Sequence, residues 1–517
     1  MSLDAFKSAV SEGYRFKGEM FKIGTAMYNG EVLTGTDVLI PLKTLNRHGL
    51  IAGATGTGKT KTLQLIAEGL SSNSVPVMLM DIKGDLSGIA AAGTLNDKIK
   101  ERADKTGTVY TPTVFPVELL SLSAEKGVRL RATVTEFGPI LLSKVLGLND
   151  TQEGVVSMLF KYCDDYKMPI LDLKDFIKVL QYAGNEGKVL IEKEYGKIST
   201  TTTGTILRKV IELQQQGADI FFGEPSFDID DLMRVSDDGR GIISVLRVTD
   251  MQNRPKLFST FMLSLLAELY ATLPEEGDME KPKLVLFIDE AHLVFQEATS
   301  ALLQQIETVV KLIRSKGVGI FFCTQNPQDI PAGVLAQLGL KVQHALRAFT
   351  AADRKAIRQA SENYPESNYY DVDELLTQLG IGEAFVTVLN EKGIPTPLVH
   401  TYLLAPASRM DVLTDTEIDI IVNHSKLVKK YANVSDTESA YEILSEKLTE
   451  AAERTAEEEI AKKPKVKEEK STMEKVLDSS VTRQIGRTAA NIITRSLLGA
   501  LGLGGRTTRR KKTTSWF

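Results

Sequence analysis

Eight consecutive residues, Gly53-Ala54-Thr55-Gly56-Thr57-Gly58-Lys59-Thr60, fill every fixed position of the pattern G-x-x-x-x-G-K-[ST]. Glycines let a backbone wrap phosphates, and successive N–H groups in such a turn face inward as an anion nest. A helix starting where the turn ends adds the positive end of its dipole. Lys59 is expected to reach the β- and γ-phosphates of ATP, and the Thr60 hydroxyl to ligate magnesium. The stretch Gly53 to Lys61 is the expected nucleotide contact. A second group lies far downstream, where the apolar run Leu284-Val285-Leu286-Phe287-Ile288 ends in Asp289-Glu290. Acids at the C-terminal edge of a parallel sheet sit where ligands bind. Asp289 is expected to hold the magnesium shell, and Glu290 to orient and polarise the attacking water.

Three weaker signals accompany these two. Phe321-Phe322-Cys323-Thr324-Gln325 reads as a buried strand with a polar end, and Gln325 is a candidate contact to the γ-phosphate or its water. A plain polar strand cap is the other reading. Arg314 precedes that strand and is a candidate cation supplied in trans to a neighbouring subunit. The alternative is a solvated helical face shared with Lys311 and Lys316; Arg347 and Arg354 are weaker candidates for the same role. Asp81-Ile82-Lys83-Gly84-Asp85 follows a strand and so reaches the same edge. A structural turn is preferred there over a catalytic or magnesium-linked role.

The elements that must carry these residues are legible in the spacing. His48 to Ala52 is a short buried strand feeding the glycine loop, and Leu63, Ile66 and Leu70 give the helix after it. Further strands are expected at 76–80, 241–247, 283–288, 318–323, 343–346, 383–389 and 399–404. Strands alternating with helices argue a mostly parallel sheet covered on both faces. Residues 1–45 read as a separate region, a helix and a hairpin turning at Asn29-Gly30. A mostly helical insertion is expected at about 100–235, inside a core running from 46 to 405. Residues 406–517 read as a charged tail: 438–470 is a solvated helix or disordered linker, and about 480–504 an amphipathic helix before the basic run Arg506 to Lys512.

Composition narrows the function. A net charge of −5 over 517 residues excludes a uniformly basic coat for nucleic acid, though not a local basic stripe. Two distant cysteines offer no disulfide framework and fit a reducing cytoplasm. No signal segment and no membrane-spanning run is visible. Asp289-Glu290-Ala291-His292 spells the box of another helicase class, but the gap from Lys59 is too long for that class and its arginine motif does not follow. No base-reading motif of a GTPase occurs.

The run Asn46 to Thr60, together with Asp81-Ile82-Lys83-Gly84-Asp85-Leu86-Ser87-Gly88, resembles the bacterial HerA-like proteins of the HerA–FtsK superfamily of P-loop ATPases over roughly residues 20–405. The resemblance implies a RecA-like core, assembled as a homo-hexameric ring that pumps double-stranded DNA. It implies Lys59 and Thr60 as the phosphate-loop pair, Asp289 and Glu290 as the metal and water pair, Gln325 as a sensor and Arg314 as a trans arginine. Only 52 residues precede the loop, too few for the full N-terminal barrel that docks a nuclease in archaeal HerA, which counts against that partnership without deciding it. A protein-directed switch using 430–517 as its arm is the competing function. Attachment of the amphipathic tail to a membrane surface is a third, with docking of that helix on protein preferred.

Overall fold

The structure is a computed structural model that describes residues 2–122, 125–277, 279–296, 300–347, 350–432 and 438–462. The chain divides into two compact units, one of 1–131 with 225–434, the other of 132–224 with 435–517.

Among the described residues, the first unit is built on a sheet of 12 strands. They are β1 Met20–Tyr28, β2 Glu31–Pro41, β3 Gly49–Ala52, β4 Val77–Asp81, β5 Val117–Ser121, β6 Val128–Arg129, β7 Ile243–Arg247, β8 Leu284–Ile288, β9 Val318–Thr324, β10 Leu340–Gln343, β11 Glu383–Thr387 and β12 Val399–Leu403. Their order is β2-β1-β12-β11-β10-β3-β9-β8-β4-β7-β5-β6. From β10 to β6 every neighbouring pair is parallel, while β11, β12, β1 and β2 pair antiparallel. Strands β3, β4, β8 and β9 are buried along their whole length, as a parallel sheet covered on both faces demands. Their packing is close. The Phe287 and Phe321 rings pack with centroids 4.9 Å apart, tilted by 35°, and a Cβ on Gly49 would lie 2.4 Å from the Phe321 ring.

Three expectations are corrected. Residues 1–45 are not a separate region, because β1 pairs with β12 and so extends the same sheet. The hairpin itself turns at Asn29-Gly30, both with positive φ, as a two-residue type I′ loop requires. The helical unit begins at Ala132, not near 100. The helix Asp97–Thr106 and the short strands β5 and β6 belong to the sheet unit. The strand expected at 343–346 is β10, three residues earlier, since Leu340 and Val342 are the inward positions and Lys341 interrupts the apolar run.

The helical unit contains Val134–Val145, Asp150–Asp165, Leu173–Gly184, Lys188–Tyr195, Thr200–Gln215 and Ala440–Lys462. Three of these start with reciprocal capping boxes, at Thr133/Glu136, Asn149/Gln152 and Asp172/Asp175. The acidic stretch from 438 is therefore a helix and not a linker up to Lys462. Leu444 is buried, and Ser439 donates to Asp175 at the start of Leu173–Gly184. The amphipathic segment expected at 480–504 and the basic run after it lie outside the described residues. No helix among the described residues is long and apolar enough to cross a membrane.

Candidate functional site

The glycine loop joins β3 to the helix Lys59–Ser72. Gly53, Gly56 and Gly58 all have positive φ, 151°, 78° and 114°. At Gly53 space forbids a side chain as well, because a Cβ would lie 2.5 Å from the Cβ of His344. The loop is moored on both flanks: Gly53 N–H donates to Thr324 O, and Ala54 N–H to Ala345 O at 2.8 Å. Thr57 is buried, with its hydroxyl donating to Ala54 O, whereas Thr55 and Gly56 are exposed at the crown. Below the loop, His344 bridges two elements. Its Nδ1 lies 3.0 Å from Glu383 O, and its Nε2 lies 2.8 Å from the Thr62 hydroxyl. Burial pushes this imidazole down to about 4, so it is neutral there.

Lys59 is buried and folds over its own loop, donating to Gly53 O at 2.7 Å and Ala54 O at 3.2 Å. Burial pulls its ammonium below the usual lysine value, Lys83 pulls it further, and Glu290 and Asp289 pull the other way. Lysine and acid pair therefore share one neighbourhood. The topology explains why, since only β9 separates β3 from β8.

Asp289 and Glu290 follow β8 and are buried. Burial raises the Asp289 carboxyl to about 6, with Lys83 opposing the rise. Asp289 Oδ2 is buried and has no hydrogen-bond partner among the described residues. Glu290 has a φ of 46°, unusual for a residue with a side chain. Its oxygens make no hydrogen bond of good geometry. Lys83 is ion-paired to Oε1, and His292 Nδ1 lies 3.1 Å from Oε2.

The segment after β4 is a structural turn that also carries two side chains to the acid pair and the loop. Asp81 shapes the turn, accepting N–H bonds from Gly84, Asp85 and Leu86 at 2.7, 3.0 and 3.2 Å. Burial and then Asp85 raise its carboxyl to about 7. That turn delivers Lys83 to Glu290 and Asp85 to Thr60, whose hydroxyl donates to Asp85 Oδ2 at 3.3 Å. Asp85 Oδ1 is a further buried oxygen without a hydrogen-bond partner among the described residues. Thr60, Asp85 and Asp289 are hard oxygen donors of the kind magnesium takes. Among the described residues no three His, Cys, Asp or Glu side chains close a metal site by themselves. An ion there needs water and phosphate oxygens too.

The remaining sequence candidates separate. Gln325 follows β9 on the same sheet edge and is exposed. Lys61 turns away from the loop and donates to Met410 O. Arg314 sits after the helix Ser300–Ile313 and before β9 begins, so it lies at the opposite edge of the sheet from the loop. There it lines a cavity of about 640 Å³ with Arg47 and Lys341. His48 ties this edge together: Ile320 N–H donates to its Nδ1 at 3.0 Å, and its Nε2 lies 2.8 Å from Val310 O. The sequence reading did not single out Lys83, Asp85, His48 or His344 as individual residues. The position of Asp81-Ile82-Lys83-Gly84-Asp85 straight after a strand was the available signal for the first two.

Residues 28–509 match the family described as Helicase HerA-like C-terminal. The chain belongs to the HerA C-terminal family. With its glycine loop and acid pair on one edge of a RecA-like sheet, it is a P-loop ATPase of that family. The DNA double-strand break repair helicase HerA of Sulfolobus acidocaldarius is 21% identical over 383 residues, spanning 73% of this chain and 69% of the relative. The DNA import protein CedB of the same organism is 23% identical over 365 residues, spanning 69% of this chain and 52% of CedB. The bacterial conjugative coupling protein TrwBdeltaN70 shares the fold at a TM-score of 0.51 and 15% identity, over 79% of this chain and 94% of that one.

Proposed function

We propose that this HerA-family chain is an ATP-driven motor that assembles as a homo-hexameric ring and translocates on double-stranded DNA. The observation that carries the reading is the separation of Arg314 from the phosphate loop across the sheet. Lys59, Thr60, Asp289 and Glu290 share one edge, while Arg314 and Arg47 lie on the other. A chain so arranged cannot bring Arg314 to its own phosphates, and a ring of copies can.

In this reading the N–H groups of Gly53 to Lys61 and the Lys59 ammonium hold the β- and γ-phosphates. Thr60 and Asp289 hold magnesium, which when bound offsets charge on the phosphate oxygens. Glu290 orients a water and accepts its proton. Gln325 lies at the end of the strand between loop and acids, where a side chain can report the γ-phosphate. Arg314 of a neighbouring subunit stabilises the developing charge. The names of the relatives, a DNA repair helicase and a DNA import protein, support DNA as the track.

Electron microscopy of the Glu290→Gln variant with ATP, magnesium and a duplex tests the assembly. Sixfold rings encircling DNA are expected. Particles that stay single with both ligands present contradict the motor and favour the switch acting on protein partners.

A further inference from the structure

Glu290 carries the proton-accepting role in the reading above, yet both its oxygens are engaged. Lys83 is ion-paired to Oε1 and His292 lies against Oε2. The left-handed backbone at Glu290 fixes where its carboxylate emerges. Lys83 comes from a different strand end, the turn after β4, which neighbours β8 in the sheet. Its side chain is 35% exposed while that of Glu290 is 7% exposed, so the lysine is the solvent-side member of the pair. Lys83 also faces Asp85 and Asp289, and is near enough to Lys59 to repel it. A triphosphate whose last group reaches Lys59 brings new anionic oxygens into the surroundings of Lys83. A lysine ammonium is a compact charge on a flexible stem and can change partners.

We infer that Lys83 is a positioning residue that holds Glu290 in the nucleotide-free protein and exchanges that carboxylate for the γ-phosphate when a triphosphate binds. The inference rests on the nucleotide-site reading above. It makes release of the water-activating carboxylate conditional on the third phosphate. A diphosphate leaves Glu290 held.

The test is a double-mutant cycle in binding, on the full chain with magnesium. A fluorescent, slowly hydrolysed ATP analogue and the matching ADP analogue are titrated into wild type, Glu290→Gln, Lys83→Met and the double variant. Glu290→Gln frees Lys83, so the triphosphate Kd should fall about tenfold, the scale of one charge-assisted hydrogen bond. In the Lys83→Met background the same change should move it less than about twofold, because no ammonium remains to be freed. The diphosphate should show no such coupling. Lys83→Gln replaces Lys83→Met if melting curves show the latter misfolded. Equal effects of Glu290→Gln in both backgrounds overturn the inference, and so does coupling of the same size with the diphosphate. If wild type binds neither nucleotide, the site reading itself falls, which distinguishes the two failures.

Discussion

Lys59 spends its hydrogen bonds on Gly53 and Ala54 carbonyls, and a bound triphosphate would take them over. Lys59→Ala should therefore lose nucleotide binding and turnover together. Glu290→Gln should keep binding and lose turnover by about 10²- to 10⁴-fold, the usual scale for removing a general base. Phosphate release beside a fluorescence titration separates the two, and a Glu290→Gln variant with full turnover contradicts the assigned role. A pH effect follows from Asp289. Its carboxyl is raised from 3.8 to about 6 by burial, so its contribution to stability is present below about 4 and lost as pH rises through about 6. Magnesium needs the charged form. Affinity for magnesium–nucleotide should fall as pH drops below about 6, by up to about tenfold per unit. Titrations at pH 5.5 and 7.5 with equal affinities would contradict this. The loop and acid pair were legible in the sequence because their chemistry fixes both residue type and spacing. Lys83 and Asp85 were not, because one turn can be structural through Asp81 and functional through its neighbours, and only coordinates separate the atoms.

Elements explain how distant residues meet. Lys59 and Asp289 are far apart in the chain but only one strand intervenes between β3 and β8. The fully buried runs of β4, β8 and β9 were readable as a parallel sheet, since nothing polar interrupts them. β5 was missed because Glu118 breaks its run, a charge made tolerable by Arg234 at 3.0 Å. His48 shows the same limit. It looked like an unremarkable residue before a strand, yet it links the backbone of Val310 to that of Ile320 from a buried position. His48→Ala leaves a buried N–H and carbonyl unpaired and should cost about 1–3 kcal/mol. A lower urea midpoint with unchanged slope is the expected result, and an unchanged midpoint would contradict it.

At the scale of the whole molecule, Arg314 lies at the edge of the sheet opposite Lys59 and the acid pair, so in the proposed reading a neighbouring copy supplies it. Arg314→Ala should lose activity, and mixing it with inactive Lys59→Ala protein should restore part of it. Mixed rings then pair an intact Arg314 with an intact loop. Absence of any rescue counts against action in trans. The proposals of a hexamer and of DNA rest on family resemblance, because neither leaves a residue pattern within one chain. The start of the helical unit was placed too early, since Glu118 interrupts β5 and the two residues of β6 are too few to show a period. The measurement that bears most directly on the account is steady-state phosphate release by the full chain, with and without duplex DNA. The account predicts turnover that rises with duplex, weakens with salt as phosphate contacts are screened, and disappears in Lys59→Ala and Glu290→Gln. Turnover of the same rate with or without DNA, surviving the loss of Glu290, would contradict it.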